Sequence, residues 1–247
     1  MEMKINDFHF HVGQFYNNLI TPGEVENFVR KLNINKIAIS STTSCAENYD
    51  NILKEFYSLE RLLSKKLYSL LWLTPKMINS KAIDKLLNSG INWKGFKIHG
   101  LQNNWTNNNL IKVIKLAQQY SVLIKFHTGG HTKSDAKVYK DLIQKYNNQI
   151  FVLAHGRPIS QALDILKDCS NAWVDTAFMP VKNIELLVKS GYSNKVLFGS
   201  DYPIFKMYYP KIKEDDYYIK LLSDIKNIIG SEDFGKITFH NFESIFS

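Results

Sequence analysis

The feature that most constrains this chain is a regular alternation, kept up along its whole length, of short apolar runs with stretches of helical period. Runs of strand length fall at residues 5–12, 36–40, 67–73, 95–99, 122–127, 150–155, 172–176 and 195–200. Between them Val25, Phe28, Val29 and Leu32 recur at i, i+3, i+4 and i+7. Leu110, Val113, Ile114 and Ala117 do the same, and so do Ile159, Ala162, Leu163 and Leu166, so each segment can cover one face of a sheet. Thr21, Pro22 and Glu24 supply a helix start with a capping box. A helix over 217–229 is expected to end at Gly230. Eight strand-and-helix units shared among 247 residues average about 31 residues each, which implies parallel pairing and right-handed crossovers. The expected fold is therefore α/β, a single (β/α)8 TIM barrel over residues 1–247. A doubly wound open sheet is the alternative, but Gly13, Gln14, Phe15 and Tyr16 after the first strand are not a glycine-rich phosphate turn.

Composition narrows the class. Hydrophobic residues at 45% and charged residues at 22% supply a full core and exclude disorder. The start MEMKINDF has no charged region leading into an apolar stretch, and no apolar run approaches the roughly 18 residues of a membrane span. A cytoplasmic protein without membrane contact is expected. Cys45 and Cys169 have no spacing that suits a zinc knuckle or a redox pair, so both are expected to be reduced thiols. The net charge of +8 would suit nucleic acid, yet the lysines are scattered over helix faces without a basic aromatic block, so no nucleic-acid partner is expected. Arginine occurs only at 30, 61 and 157.

Five of the seven histidines, His9, His11, His99, His127 and His155, fall at or near the carboxyl ends of the expected strands, and Asp201 follows the eighth. In a barrel those ends form one face, so residues far apart in sequence converge there. His9 and His11 alternate along a strand and point to one side about 6.6 Å apart, with Asp7 expected on the same face. Two imidazoles so placed can share a divalent ion, though hydrogen bonding alone could also explain the pair. The company of FHTGG, AHGRP and GSDYP after the fifth, sixth and eighth strands favours a site over core packing.

DFHFH at 7–11, His127, His155 and FGSDYP at 198–203 resemble the amidohydrolase superfamily, in particular its amidohydrolase-2 branch of metal-dependent hydrolases and decarboxylases. The resemblance spans the chain, and the terminal FHNFESIF, with Asn241, resembles that branch's closing helix. It implies one divalent ion, zinc first and manganese second, held by His9, His11, His127 and Asp201. His155 and Asp201 would then be catalytic: Asp201 would move a proton, and His155 would polarise the substrate or orient the water. A further ligand or a supporting partner is the alternative for His155. Lys97, His99 and Arg157 are the candidate substrate-binding residues. Lys97 would be a cation for a substrate carboxylate or an ion-pair member, and less readily a carboxylated lysine bridging two metals. Arg157 would hold a carboxylate or phosphate, or else cap its own loop through an ion pair. Lys125 has no functional account at this level. The aromatic loop after Asp201 (Tyr202, Phe205, Tyr208, Tyr209) could wall the pocket or serve a homodimer contact, His131 could overhang the pocket, and His240 reads as structural.

The expected activity is hydrolysis of a C–N or C–O bond in a small carboxylate-bearing substrate. Non-oxidative decarboxylation on the same residues is the alternative. A deoxyribonuclease of the TatD kind also opens with HxH, but no glutamate ends the third or fourth strand as that family's bridging carboxylate would. A non-catalytic binding barrel is the remaining option.

Overall fold

The computed structural model describes residues 4–100 and 104–247. Nine strands form one curled sheet: β1 (Asn6–Phe15), β2 (Asn18–Ile20), β3 (Lys36–Ser41), β4 (Leu67–Leu73), β5 (Trp93–Ile98), β6 (Leu123–His127), β7 (Phe151–Ala154), β8 (Ala172–Asp175) and β9 (Val196–Leu197). They lie in the order β2-β1-β3-β4-β5-β6-β7-β8-β9. Every neighbouring pair is parallel except the β1–β2 hairpin. All eight expected strands are present. The hairpin strand β2 was not legible because its turn, at Tyr16 (φ 49°) and Asn17, carries no glycine and β2 is only three residues long. Past β9 the chain returns to β1. Phe8 N donates to Phe198 O at 2.7 Å, His11 N donates to Tyr202 O at 2.7 Å, and Phe10 bridges Tyr202 in parallel.

The helices start and stop where local chemistry directs. Helix Pro22–Lys31 carries the expected capping box, with Glu24 N donating to Thr21 Oγ1 at 3.2 Å and Thr21 N donating to Glu24 Oε2 at 2.7 Å. It buries Val25, Phe28 and Val29 against the sheet, as helix Asn107–Tyr120 buries Leu110, Val113, Ile114 and Ala117. The long helix Glu214–Gly235 is broken at Gly230 (φ 79°, ψ 172°), the position expected to end it. No helix among the described residues is long and apolar enough to cross a membrane.

Inside the curl, Phe8, Ala38, Leu70, Leu123, Val152, Trp173 and Leu197, one from each of seven parallel strands, pack with Phe242 and Ile245 of the last helix. Strand β5 places Gly95 in this layer, where an added Cβ would lie 2.7 Å from Leu123 Cδ1 and 2.8 Å from Leu70 Cδ2. The last helix, Asn241–Ile245, is anchored by Asn241 Nδ2, which donates to Ser193 O at 2.7 Å and Val196 O at 2.6 Å. Because side chains alternate, the residues two further along point inward as well: Ser40, Trp72, Lys97, Lys125 and Asp175. This apolar floor therefore fixes which polar side chains stand above it.

Strand β1 departs from plain alternation. Its register against β3 shifts between Asp7 and Phe10. As a result Asp7 does not join the two histidines, contrary to the sequence expectation. Its Oδ1 instead accepts the backbone N–H groups of His9 at 2.9 Å and Ser200 at 3.1 Å, clasping β1 to the segment before Asp201.

Candidate active site

The carboxyl ends of the strands surround a cavity of about 250 Å³. His9, His11, Lys97, His99, His127, His155, Arg157 and Asp201 all line it, so the structure brings together every residue singled out from the sequence for metal, catalytic or substrate roles. His155 (φ 68°) and Asp201 (φ 61°) hold the left-handed conformation where their strands give way to loops. Such backbone costs roughly 1–3 kcal/mol per residue and persists where the surroundings fix it. His155 N is fixed by donating to Asp175 Oδ1 at 2.9 Å.

Hydrogen bonds orient both imidazoles of β1. His9 Nδ1 lies 2.9 Å from Asp175 Oδ2, so the proton is on Nδ1 and the Nε2 lone pair faces Asp201 Oδ1 at 3.5 Å. His11 Nδ1 lies 3.3 Å from Ser40 O and 3.2 Å from Ser40 Oγ, and its Nε2 stands 3.1 Å from the same Asp201 oxygen. Burial lowers the pKa of both histidines, more than their attraction to Asp201 raises it. Burial pushes Asp201 up, but His9, His11 and His155 outweigh it and hold the carboxyl well below the usual range. Two imidazole nitrogens and a carboxylate thus converge on one point, a donor set that suits a cation. Donors around a tetrahedral ion at 2.0–2.1 Å stand about 3.4 Å apart, and the spacings of 3.1 and 3.5 Å match this. His9, His155 and Asp201 offer ligand atoms within 4.8 Å of one another, so this buried His/His/Asp group could hold a metal.

His127 and His155 are joined, His155 Nε2 to His127 Nδ1, at 3.0 Å, while His155 Nδ1 donates to Ala177 O at 2.9 Å. His155 Nδ1 stands 3.9 Å from Asp201 Oδ2. His99 lies between Trp72 (ring centroids 5.3 Å apart, planes within 2°) and His127 (3.9 Å, 20°).

Two residues that the sequence reading left without a role organise this centre. Asp175 ends β8 fully buried, and its Oδ2 takes both His9 Nδ1 and Lys125 Nζ, the latter at 3.0 Å. Its Oδ1 accepts from His155 N and Ala177 N. Lys125 also donates to Phe8 O at 2.8 Å, which satisfies a buried ammonium that seemed costly from sequence. Asp175 ends its strand as the histidines do, and that rule could have found it.

Lys97 is different. It is buried, its Nζ lies 3.4 Å from His9 Nε2, and no carboxylate pairs with it among the described residues. Burial first, and then Lys125, lowers its pKa to about 7. Arg157 donates through Nη2 to Phe178 O at 2.9 Å and through its backbone N to Thr128 Oγ1 at 2.8 Å, and it forms no ion pair among the described residues. The aromatic loop divides: Tyr202 is buried, stacked on Phe28 at 3.9 Å, whereas Tyr208 and Tyr209 wall the cavity. His131 lies outside the lining, its Nδ1 accepting from Lys133 N, and His240 is exposed. A larger groove of about 630 Å³ beside β2 contains no histidine, and charged residues in it pair with each other, Lys31 with Asp215 and Lys206 with Glu214.

A curled, mostly parallel sheet with imidazoles and carboxylates gathered at the carboxyl ends of its strands defines an α/β protein with a buried group able to hold a metal. The chain belongs to the amidohydrolase-2 family, whose model, described as amidohydrolase, matches residues 90–222, more than half of the chain. No curated protein matches the sequence. Among solved structures the chain is similar to a probable 2-pyrone-4,6-dicarboxylic acid hydrolase from Acinetobacter baumannii with citric acid bound, at 14% identity and TM-score 0.72 over 99% of both chains. It is also similar to 4-oxalomesaconate hydratase from Rhodopseudomonas palustris (15%, TM-score 0.67, 98% of this chain and 95% of that one). A third similar structure is the apo form of Metarhizium anisopliae IDCase (13%, TM-score 0.67, 98% and 97%). At these identities the likeness is one of fold.

Proposed function

We propose that the sheet is a complete (β/α)8 barrel and that the protein is a metal-dependent hydrolase acting on a C–N or C–O bond of a small carboxylate-bearing substrate. The hydrogen bonds from β1 to Phe198 and Tyr202 and the ring of inward residues from all eight parallel strands support the barrel. The observation that carries the function is the meeting of the His9 and His11 Nε2 atoms with the Asp201 carboxylate. Imidazole and carboxylate donors suit zinc or manganese. His9, His11 and Asp201 would hold the ion, with His127 or His155 completing the set. A bound divalent ion supplies Lewis acidity and brings the pKa of water towards neutrality.

The chain's own groups supply the rest. Asp201 is placed to take a proton from the attacking water and return it to the leaving group. His155, fixed by Ala177 O and His127, stands beside Asp201 to orient the reacting groups. Arg157 and Lys97 line the cavity without carboxylate partners, and an anionic substrate would supply one.

Elemental analysis of the purified protein is expected to show about one zinc or manganese per chain. A matched acid and methyl ester, assayed on wild type and Arg157→Met, then tests the substrate class. Wild type should prefer the acid and the variant should lose most of that preference. No metal after reconstitution sinks the metal-dependent reading, equal preference in both proteins sinks the anion anchor, and release of carbon dioxide in place of hydrolysis replaces the reaction.

A further inference from the structure

His99 lines the cavity, but neither of its ring nitrogens is engaged by a described residue. Its Nδ1 is sealed from solvent without a hydrogen-bond partner, and no described residue bonds its Nε2. The ring cannot turn to find partners, because Trp72 and His127 cover its two faces. A buried N–H with nothing to accept it is rarer and costlier than an unused lone pair, so the proton belongs on Nε2. That leaves a rigid, uncharged N–H donor directed at the cavity, in a lining that also presents the basic side chains Lys97 and Arg157.

We propose that His99 is a specificity-determining residue that hydrogen-bonds an uncharged oxygen of the substrate, which makes the substrate class an oxygenated carboxylic acid rather than a plain one. This rests on the reading of Arg157 and Lys97 as the carboxylate anchor and adds a second, neutral contact. A site built to hydrogen-bond a substrate oxygen discriminates against an analogue lacking it, because the donor is then left unpaired.

The test is calorimetric binding of propanoate, lactate and 3-hydroxypropanoate to the metal-loaded protein, in wild type, His99→Phe and His99→Leu. The phenylalanine variant keeps a stacked ring and removes the donor, and leucine is the smaller apolar replacement should phenylalanine not fold. Wild type is expected to bind at least one hydroxy acid about tenfold more tightly than propanoate. In the folded His99 variant that ratio should fall to near one while propanoate affinity is kept. A ratio that persists unchanged in the variant means that the metal or another residue reads the hydroxyl, and it overturns the assignment to His99. Equal binding of the three acids by wild type also overturns it. Failure of wild type to bind any of the acids overturns the carboxylate reading itself and this inference with it.

Discussion

Asp175 and His9 are joined at 2.9 Å, carboxylate oxygen to Nδ1, and the same carboxylate also accepts the backbone N–H of His155. One buried side chain on β8 therefore sets the tautomer of a residue on β1 and the backbone of the residue that follows β7. Lys125 balances its charge. Partners of this kind commonly carry a tenfold to hundredfold share of metal affinity. Asp175→Asn is accordingly expected to weaken zinc binding by about that factor, read by competition with a chromogenic chelator. Asp175→Ala, which strands Lys125 in the interior, should in addition lose about 3–5 kcal/mol of stability.

Acid should destabilise the protein early. Burial lowers the pKa of His9, His11 and His127, of His155 to about 4 and of His99 to about 3. Between pH 6.5 and about 4 the unfolded chain binds protons that the folded chain refuses, so folding stability falls as pH falls through that window. Asp7, raised by burial to about 7, and Glu55, also raised by burial, act in the opposite sense, but five histidines outnumber two carboxylates. The Tm of the metal-free protein is expected to drop steadily from pH 7 to 4.5, and less steeply in His99→Phe. A level profile would contradict the buried neutral histidines.

Gly199 precedes Asp201 by two residues, and an added Cβ would stand 2.8 Å from His9 Cβ. Both atoms are tied to backbone, so one strand must move. Gly199→Ala is expected to cost about 1–3 kcal/mol and to lower metal affinity, since it displaces His9, a proposed ligand, as well as crowding the core. Urea unfolding and chelator competition measure the two effects separately, and unchanged metal affinity would show that His9 does not depend on this approach.

Asn241→Ala tests the floor of the fold rather than the site. It removes two hydrogen bonds and leaves the carbonyls of Ser193 and Val196 without that donor, for about 2 kcal/mol. The urea midpoint should fall with an unchanged slope, while metal affinity stays at the wild-type value.

Strand periodicity made the fold legible. Eight apolar runs announced eight strands, and Thr21, Pro22, Glu24 and Gly230 marked helix boundaries through chemistry confined to a few neighbouring residues. The candidate site's lining was legible for the same reason, because His9, His11, His99, His127, His155 and Asp201 fall at or near the carboxyl ends of the apolar runs in the sequence. Asp7 was misplaced because a register shift in β1 depends on pairing with β3, which no local pattern reveals. Asp175 and Lys125 went without roles because a buried ion pair is a relation between two strands. From sequence, each is a lone charge in an apolar run.

The layer built from Phe8, Gly95, Trp173, Phe242 and their neighbours has a kinetic consequence. It closes the lower end of the curled sheet, beneath the cavity. Reactant arriving and product departing must use the same doorway, one after the other. Under the proposed function, a product that kept its carboxylate would occupy the place of the next reactant, and turnover at high conversion would be limited by how quickly the doorway clears.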